Sequence, residues 1–556
     1  MKRIWIFPEE QKSNQMKVIE YLLERRGIYG GEEMDDFLSD SPQLAFDPFL
    51  MKDMESGVRR ILDAISTGQN ICIYGDYDAD GVCAISLLLE ILGKLSAKVS
   101  YYIPSRFDEG YGLNREAIQS IKNQGVDLVI TVDCGSVSFD EVEYAKEIGL
   151  DIIVTDHHNV NDKAASCLLI NPKQGDCPYP ERELSGCGVA FKLAQALQRR
   201  TNLTKSDLNR VLDLVAIATV GDIVPLLGEN RTMVKYGIKM INKGLRPGLT
   251  KLIEGAGLRI GEIKAENLAY VIVPHLNAGG RIMTAETGVT LLTSRDDREL
   301  TQAANQLIDN NKKRRKIQEE AFEEVLFIVE EHHQNDHILV IDALNIHEGI
   351  AGIVAGKIKE KYHRPTILVT PSGDDSLKGT GRSMDGINLY DILSPCRGLF
   401  EKFGGHAGAC GFLMKKEKLE TLREALHTIG ENLYRDDSSL FVAKLNIDGI
   451  LPPPWVNNEL VKKLEKLEPY GHKNPKPLFC LEGLSLKNPV FMGEQQQHVR
   501  FFASDIACIL FNRGAEYKEQ LRSGNKGDLV GYPEINRWNG NEKIQFVVSD
   551  IRCYNE

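Results

Sequence analysis

The chain has 556 residues, of which 42% are hydrophobic and 26% are charged, and it contains 49 Gly and 21 Pro. This is the composition of an ordinary globular protein, and it excludes collagen-like, mucin-like and wholly disordered chains. At about 150 residues per domain, one compact core is not expected. The formal net charge is −12, so a nucleic-acid-binding surface would have to concentrate its cations locally, because affinity for phosphates depends on local charge.

The cysteines and the N-terminus indicate the compartment. Eleven cysteines are scattered without a CxxC pair, which disfavours a disulfide framework and a zinc site. The N-terminal MKRIWIFPEEQK turns polar after Phe7, so it lacks the apolar stretch of a signal peptide, and no run of about 18 apolar residues occurs. We therefore expect a cytoplasmic protein without a membrane partner.

The first half of the chain predicts a parallel sheet. Residues 1–45 have apolar residues at helical spacing and form a predicted helical lead-in. From 46 to 295, short β-branched runs alternate with amphipathic helical segments, a pattern typical of a parallel sheet covered on both faces. We expect an α/β catalytic domain here, with its chemistry at the carboxyl ends of the strands.

The second half predicts a long helix and two further domains. Residues 296–333 contain neither Gly nor Pro, which predicts a connecting helix over 296–334 with a length of about 55 Å. A strand–helix–strand pattern predicts a smaller α/β domain over 335–437. Residues 438–556 are strand-rich, with a hairpin signal at Asn539-Gly540. Their periodicity fits a barrel or a sandwich, and we expect a small barrel of the oligonucleotide-binding (OB) type.

Three aspartates alternate directly after the apolar run ICIYG, at Asp76, Asp78 and Asp80. They repel one another unless a cation lies among them. The spacing also matches the opening of a calcium-binding EF-hand loop, but the twelfth position is Leu87 instead of glutamate, and the preceding element is a strand. A solvated acidic turn is the other alternative.

Two more predicted strands end in ligand-type side chains. Asp133 ends DLVITVD, and Asp156 ends DIIVTD and precedes His157 and His158. One such aspartate is most often a helix cap, but three strand ends together indicate a metal site. Asp222, after an apolar helix, is a fourth candidate, with a cap as its alternative. Carboxylates with imidazole suit Mg²⁺ or, better, Mn²⁺, and their number predicts two ions about 3.5–4 Å apart.

These motifs match a known family. DYDADG, VDCGS, TDHH and VGDIVP resemble the DHH phosphoesterase superfamily, and FGGHAGACG at 403–411 resembles the glycine-rich motif of its DHHA1 domain. Segments 105–113, 276–282 and 467–479 are similar to one branch, the RecJ family of single-strand-specific 5′ exonucleases. The resemblance implies two-metal hydrolysis of single-stranded DNA from 5′ to 3′, with release of 5′ mononucleotides, in DNA repair and recombination.

The resemblance also implies a role for each matching residue. The metal ligands would be Asp76, Asp78, Asp80, Asp133, His157 and Asp222. Among the catalytic residues, His158 would face the scissile phosphate, Asp156 would orient a histidine, and His406 would approach the nucleotide from the DHHA1 domain. Contacts to DNA, and especially to a terminal 5′ phosphate, are expected from Arg106, Asn277, Arg281, Gly379, Arg382 and Ser383.

Two positions depart from the family pattern. Many members have a histidine ligand at the position where this chain has Tyr74, and relatives usually have an arginine at the position where it has His275. A phenol is a poor Mn²⁺ ligand at neutral pH, so either Asp76 substitutes or one ion binds more weakly. Two other functions remain as alternatives: a phosphoesterase acting on oligoribonucleotides or cyclic dinucleotides, and a noncatalytic DNA-binding scaffold. A single-strand-binding protein and a helicase are expected partners of an exonuclease.

Overall fold

The computed structural model describes residues 3–9, 17–105, 109, 112–160, 164–282, 284–373, 375–522, 525–538 and 541–554. The chain divides into two units. The larger unit comprises Phe7–Gly280, Thr284–Ile308 and Asn446–Glu556, and the smaller unit comprises Met1–Ile6, Arg281–Met283 and Asp309–Leu445. Within the described ranges, no helix combines the length and apolarity that a membrane crossing requires. All eleven cysteines are free thiols.

The chain begins with a short strand and two helices: β1 (Ile4–Ile6), α1 (Val18–Glu24) and α2 (Gly31–Leu38). The apolar side of α1, which includes Leu22 and Leu23, is buried. It belongs to the same hydrophobic cluster as Phe479 and Leu481 near the C-terminus. The helical character predicted for the first residues is therefore present, and it serves to pack α1 against the C-terminal part of the larger unit.

A five-stranded parallel sheet forms the centre of the larger unit, with the strand order β3-β2-β4-β5-β6. Residues such as Ile73, Ile130 and Val154 are fully buried, because helices cover both faces of the sheet. The elements in chain order are α3 (Met54–Ser66), β2 (Asn70–Gly75), α4 (Ala79–Lys94), β3 (Lys98–Tyr102), α5 (Arg115–Asn123), β4 (Leu128–Val132), α6 (Phe139–Glu147), β5 (Asp151–Thr155) and β6 (Leu168–Ile170).

The alternation of strands and helices ends at β6, earlier than the sequence pattern indicated, and the chain from 186 to 293 is helical. The apolar run VLDLVAIATV forms a helix that is buried along most of its length, because other helices of the larger unit surround it. The elements are α7 (Gly186–Gln198), α8 (Lys205–Arg210), α9 (Leu212–Gly221), α10 (Gly228–Ile241), α11 (Pro247–Gly255), α12 (Ala265–Asn267), α13 (Val273–Ile282) and α14 (Glu286–Thr293).

The predicted connecting helix is confirmed as α15 (Asp297–His332), a single helix of 36 residues. The smaller unit then forms a mixed sheet with the order β10-β11-β9-β8-β7, in which only β7 and β8 are parallel. Its elements are β7 (Leu339–Asp342), α16 (Glu348–Tyr362), β8 (Thr366–Pro371), β9 (Ser376–Arg382), α17 (Leu389–Leu393), β10 (Phe400–His406), β11 (Ala409–Lys415) and α18 (Leu419–Asp436).

The C-terminal strands close into a barrel, as predicted. The order β13-β14-β15-β16-β18-β17 is closed by pairing of β14 with β17, which distinguishes a barrel from a sandwich. β17 and β18 pair from Trp538↔Asn541 onward, and the predicted turn at 539–540 lies outside the described residues. The elements are β12 (Lys444–Asn446), β13 (Gly449–Ile450), α19 (Asn458–Glu465), β14 (Phe479–Met492), β15 (His498–Ala503), β16 (Ile506–Leu510), α20 (Lys518–Arg522), β17 (Lys526–Trp538) and β18 (Asn541–Cys553).

Candidate active site

Three strand ends of the parallel sheet lie side by side. The last residues of β2, β4 and β5 are paired in register, Gly75 with Val132 and Val132 with Thr155. Because neighbouring parallel strands end at the same edge of a sheet, the residues that follow them are brought together. Each of these residues is an aspartate: Asp76, Asp133 and Asp156.

The loop after β2 turns directly into α4. Asp78 caps this helix, and its carboxylate accepts hydrogen bonds from the N–H groups of Asp80 at 2.9 Å and Gly81 at 3.2 Å. Gly81 has no room for a side chain, since an added Cβ would lie 2.3 Å from the carbonyl oxygen of Asp76. The tight turn gathers three aspartates at the N-terminus of a helix, where negative charge is favoured.

A second helix N-terminus holds Asp80. Its carboxylate oxygens accept hydrogen bonds from the N–H groups of Gly186 at 2.6 Å and Cys187 at 2.7 Å, at the start of α7. Ser185 caps α7 by accepting a hydrogen bond from the N–H of Gly188 at 3.1 Å. Sequence analysis missed these residues, although a serine in front of an apolar helical run is an N-cap signal.

His157 lies at the centre of the carboxylates. Its Nε2 is 3.1 Å from Asp133 Oδ1 and 3.9 Å from Asp80 Oδ2, and its Nδ1 is 3.6 Å from Asp222 Oδ2. Both ring nitrogens are buried, and neither makes a hydrogen bond with a described residue. An imidazole that is buried in this way among carboxylates fits a metal ligand better than a structural histidine.

The ligand-type atoms converge in three groups, each with its atoms within 4.8 Å of one another. Asp133 belongs to two of them, and His157 also belongs to two, so the groups form one continuous cluster. This supports a site with room for more than one cation, and oxygen ligands with one imidazole suit Mn²⁺ or Mg²⁺. The groups are Asp133–Asp156–His157–His158, Asp80–His157–Asp222 and Asp76–Asp78–Asp133.

Without a cation, burial and mutual repulsion disfavour the ionised form of several carboxylates in the cluster. Burial, reinforced by the charge of Asp222, raises the pKa of Asp80 to about 7, and burial with the charge of Asp78 raises the pKa of Asp222 to about 7. Burial and the charge of Asp80 raise the pKa of Asp133 well above its ordinary value. Burial lowers the pKa of His157, which favours the neutral imidazole that binds metals. A divalent ion would reverse the repulsion among these carboxylates.

Asp156 orients the neighbouring histidine. Its carboxylate accepts hydrogen bonds from the N–H groups of Ser136 at 2.9 Å and His157 at 2.7 Å, and it lies 2.8 Å from His158 Nδ1. Burial alone would raise the pKa of Asp156, but the hydrogen bond and the charge of His158 outweigh it, and the pKa falls below its usual range. The carboxylate is thus occupied in holding backbone and imidazole, and its role in catalysis stays a prediction.

His158 differs from His157 in both exposure and charge. Its side chain is 46% exposed, against 7% for His157. Burial acts to lower the pKa of His158, but the hydrogen bond to Asp156 and its charge raise it overall. The geometry therefore gives one buried imidazole for ligation and one accessible imidazole that favours the protonated, hydrogen-bond-donating form.

Tyr74 is not part of the cluster. Its side chain is fully buried, its hydroxyl donates to the carbonyl of Gly112 at 2.9 Å, and its ring stacks on Tyr102 with centroids 5.3 Å apart. Burial raises its pKa far above the ordinary value, so a phenolate ligand is excluded at neutral pH. Asp76 shares a group of ligand-type atoms with Asp78 and Asp133, and its substitution for the histidine of other members stays a prediction.

Helix α13 contacts the start of α4, next to the aspartates of the cluster. Asn277 Oδ1 accepts a hydrogen bond from the N–H of Ala79 at 2.7 Å, at the start of α4. His275 is buried, and its Nδ1 lies 2.7 Å from the carbonyl oxygen of Val271, one turn earlier. The predicted contact of Asn277 with DNA stays a prediction, and the structure adds a positioning role for its carbonyl group. The side chain of Arg281, and the whole of Arg106, lie outside the described residues.

The predicted DNA ligands of the smaller unit have contacts of their own. An added Cβ at Gly379 would lie 2.0 Å from the ring of Phe412, so packing alone requires this glycine. Ser383 is buried and its hydroxyl donates to the carbonyl of Ile387 at 2.7 Å, a bond that a phosphate ligand would have to replace. Their roles in phosphate binding stay predictions.

Arg382 and His406 are better placed for a ligand. Arg382 Nη1 donates to the carbonyl of Gly381 at 2.8 Å, and it forms no ion pair with a carboxylate of the described residues. His406 is exposed at the end of β10, and its Nδ1 accepts a hydrogen bond from the N–H of Gly408 at 3.2 Å. Their contacts with DNA also stay predictions.

Comparison with protein families assigns three parts of the chain. Residues 70–219 match the DHH family, N-terminal domain, residues 335–432 match the DHHA1 domain, and residues 447–550 match the RecJ OB domain. The boundaries predicted at 45, 295, 334 and 437 stay predictions beside these ranges. The metal-ligand candidates up to His157 fall in the first match, and Asp222 lies just beyond it.

Curated proteins and solved structures agree with these matches. The single-stranded-DNA-specific exonuclease RecJ of Bacillus subtilis is 37% identical over 535 residues, which are 95% of this chain and 67% of the relative. The RecJ of Escherichia coli is 32% identical over 90% of both chains. The crystal structure of RecJ with Mn²⁺ from Thermus thermophilus superposes with a TM-score of 0.84 at 27% identity, covering 100% of this chain and 80% of the other. The chain therefore belongs to the RecJ family of DHH proteins.

Proposed function

We propose that this chain is a metal-dependent exonuclease that degrades single-stranded DNA from the 5′ end and releases 5′ mononucleotides. The observation that carries the proposal is the convergence of five aspartates and one buried imidazole at the ends of β2, β4, β5 and α9. The curated relatives are named as single-stranded-DNA-specific exonucleases, and crystal structures of the Thermus thermophilus relative contain Mn²⁺ or Mg²⁺.

The cluster would hold two divalent ions, with Asp133 shared between them. When bound, such ions activate a water molecule for attack on a phosphodiester and neutralise charge on the leaving oxygen. The N-terminus of α7 would keep Asp80 in place, and Asp156 would keep His158 turned towards the substrate. The ligands would be Asp76, Asp78, Asp80, Asp133, His157 and Asp222.

His158 would donate a hydrogen bond to the phosphate. Its side chain is accessible, and the hydrogen bond to Asp156 raises its pKa although burial acts to lower it. A hydrogen-bond donor held at this point stabilises the negative charge that develops in the transition state without any reorganisation.

Recognition of the 5′ end would give the enzyme its direction. Arg106, Arg281 and Arg382 are the candidate donors, because arginine binds phosphate through two parallel hydrogen bonds, and His406 is a candidate catalytic residue. The guanidinium of Arg382 donates to the carbonyl of Gly381 and forms no ion pair with a carboxylate of the described residues, which leaves its positive charge available to a phosphate. Asn277, Gly379 and Ser383 would complete the set. We further propose a cytoplasmic role in repair and recombination, with a single-strand-binding protein and a helicase as partners.

The test compares single strands that carry a 5′ phosphate, a 5′ hydroxyl or a blocked 5′ end, each labelled at one terminus or the other, in the presence of Mn²⁺. We expect labelled mononucleotides at the earliest times from 5′-labelled strands, and slower or no digestion of blocked ones. Hydrolysis of dinucleotides without digestion of long strands would instead support the small-substrate phosphoesterase. The Asp133→Asn variant, prepared in the same way, controls for contaminating nucleases.

A further inference from the structure

The larger unit has a lysine-lined cavity that the proposed function does not use. It measures about 630 Å³ and lies between α10, the segment after α2 and the end of α19. Apolar side chains, including Ile238 and Ile263, form part of its wall. The cavity contains five lysines: Lys235, Lys239, Lys264, Lys462 and Lys466.

Most of these lysines lack an acidic partner. Two carboxylates of the cavity are already paired. Glu468 forms an ion pair with Lys264 at 2.9 Å, and Glu465 forms one at 3.3 Å with Arg537, which is not part of the cavity lining. The other four lysines form no ion pair within the described part of the chain. The remaining carboxylates of the cavity are Asp40 and Glu262, so its unpaired groups carry a net positive charge. Such a cavity attracts small anions.

Lys235 has an amine that is only partly solvated. Its side chain projects from α10, and its Nζ donates one hydrogen bond, to the carbonyl of Ser39 at 2.5 Å. Lys239, one turn later, is bonded to the neighbouring carbonyl of Asp40. A neutral amine that donates one hydrogen bond keeps its lone pair, and the cavity gives an electrophile room to approach it.

The surroundings of Lys235 favour the neutral amine. Burial, the adjacent guanidinium of Arg231, and the ammonium groups of Lys239 and Lys466 lower its pKa to about 8, against the opposing charge of Asp40. Lysines that are desolvated or placed beside other cations are activated as nucleophiles in this way. The other titratable groups that line the same cavity are Glu262, Lys264, Lys462, Glu465 and Glu468.

We propose that Lys235 is a site of covalent acylation by small acyl phosphates, which the cavity concentrates by their negative charge. The amine nitrogen attacks the carbonyl carbon and forms an amide bond. The bond between that carbon and the phosphate oxygen breaks, and phosphate leaves with its electron pair. The amine gives one proton to water, so no oxidant or reductant is needed.

The expected selectivity follows from two opposing effects. At pH 7.5 about one quarter of an amine with a pKa of about 8 is neutral, against about one part in a thousand for an ordinary lysine. A less basic amine is also a weaker nucleophile, as is known for thiols, and this lowers the rate constant of neutral Lys235 about tenfold relative to an ordinary neutral lysine. A net gain of about 20-fold remains before any attraction of the anion.

The experiment treats the intact protein with acetyl phosphate and follows acetyl occupancy at each lysine by peptide mass spectrometry. Lys313, which is exposed on α15, is the internal reference. We expect the initial rate at Lys235 to exceed that at Lys313 by tenfold or more. Equal rates at the two lysines would overturn the proposal.

Two further measurements test whether the acylation rate at Lys235 depends on the charges of the cavity or only on the exposure of the side chain to solvent. The Lys466→Gln variant removes an exposed neighbouring cation, which folding should tolerate, and it should lower the rate at Lys235 while leaving Lys313 unchanged. The rate at Lys235 should level off above about pH 8, because its amine is then mostly neutral. An unchanged rate at Lys235 in the variant, or a rate at Lys235 that keeps rising well above pH 8, would contradict the mechanism.

Discussion

Among single residues, Asp133 belongs to two of the three groups of ligand-type atoms in the carboxylate cluster, and its backbone is unusual. Its φ of 61° lies in the left-handed region, which a residue with a side chain adopts at a cost of about 1–3 kcal/mol. Its N–H donates to the carbonyl of Thr155 at 3.1 Å, which ties the strained residue to the neighbouring strand. The conformation directs the carboxylate towards both His157 and the aspartates after β2, so we interpret the strain as part of the site.

We expect Asp133→Asn to abolish activity while stabilising the metal-free protein. The amide removes a buried carboxyl whose pKa is raised by burial and by Asp80, so repulsion inside the cluster falls. The same change removes a shared ligand, and the rate should drop by more than the roughly 10- to 100-fold typical of residues that only support a ligand. Initial rates with Mn²⁺ and thermal unfolding without metal test the two effects. Retained activity would show that Asp133 is not a ligand.

His158→Gln should lower kcat by about 100-fold or more without changing the Mn²⁺ concentration that gives half-maximal activity. His158 is accessible and bonded to Asp156, so its loss removes a donor to phosphate while the other ligands remain. A Mn²⁺ titration of kcat separates this role from ligation, since His158 also falls in one group of ligand-type atoms. If excess Mn²⁺ restored the rate, His158 would be a metal ligand.

The convergence of the aspartates at the strand ends could be predicted from the sequence, but the hydrogen bonds of individual side chains could not. Parallel strands end at one edge, so the aspartates after β2, β4 and β5 had to meet there whatever the details of packing. The hydroxyl of Ser383 donates to the carbonyl of Ile387, a contact that the sequence analysis did not predict. That bond depends on the path of the chain four residues later, which local pattern does not determine.

Among the elements, α7 has the clearest mechanistic role. Its first N–H groups hold both oxygens of Asp80, and its first glycine lies against the backbone of Asp133. An added Cβ at Gly186 would lie 2.5 Å from Asp133 Cβ and 2.8 Å from Asp133 Cα. The N-terminus of α7 can therefore approach Asp80 and Asp133 only because its first residue has no side chain.

Gly186→Ala should displace α7 from both aspartates. We expect a loss of about 1–3 kcal/mol in stability and a fall in activity of at least about tenfold, because a misplaced ligand geometry is costly in catalysis. Gly188→Ala is the matched control on the same helix, since its Cβ would meet Leu184 Cβ at 3.4 Å, an ordinary contact. Rates and unfolding midpoints of the two variants should differ clearly, and equal effects would contradict the proposed role.

The type of most elements followed from periodicity, whereas their pairing did not. The strands β2, β4 and β5 and the long helix α15 were predicted from apolar runs and from the absence of Gly and Pro. The apolar segments of α7 and α9 carry almost no polar face, so periodicity cannot show that both of them pack against α4. Closure of the barrel depends on the pairing of β14 with β17, a contact between segments about fifty residues apart.

At the scale of the whole molecule, the metal cluster couples folding to pH. Asp80 and Asp222 have pKa values of about 7, raised by burial and by neighbouring carboxylates, against about 4 in an unfolded chain. A raised carboxyl pKa favours the folded state fully below the unfolded value, and this contribution is lost as the pH rises through about 7. Without metal, the larger unit should therefore lose stability between about pH 4 and pH 8 through these groups.

Mn²⁺ should stabilise the protein more at pH 8 than at pH 5.5. Ligation requires the ionised carboxylates, so at pH 5.5 the ion must displace protons from Asp80 and Asp222, whereas at pH 8 it relieves existing repulsion. An ion present at about 100 times its dissociation constant adds about 2.7 kcal/mol, which predicts an increase in Tm of several degrees at pH 8. The measurement is thermal unfolding at both pH values with Mn²⁺ and with a chelator. Asp133→Asn, which lacks the shared carboxylate, should show a much smaller increase, and an equal increase at pH 5.5 and pH 8 in the parent protein would mean that the ion binds elsewhere.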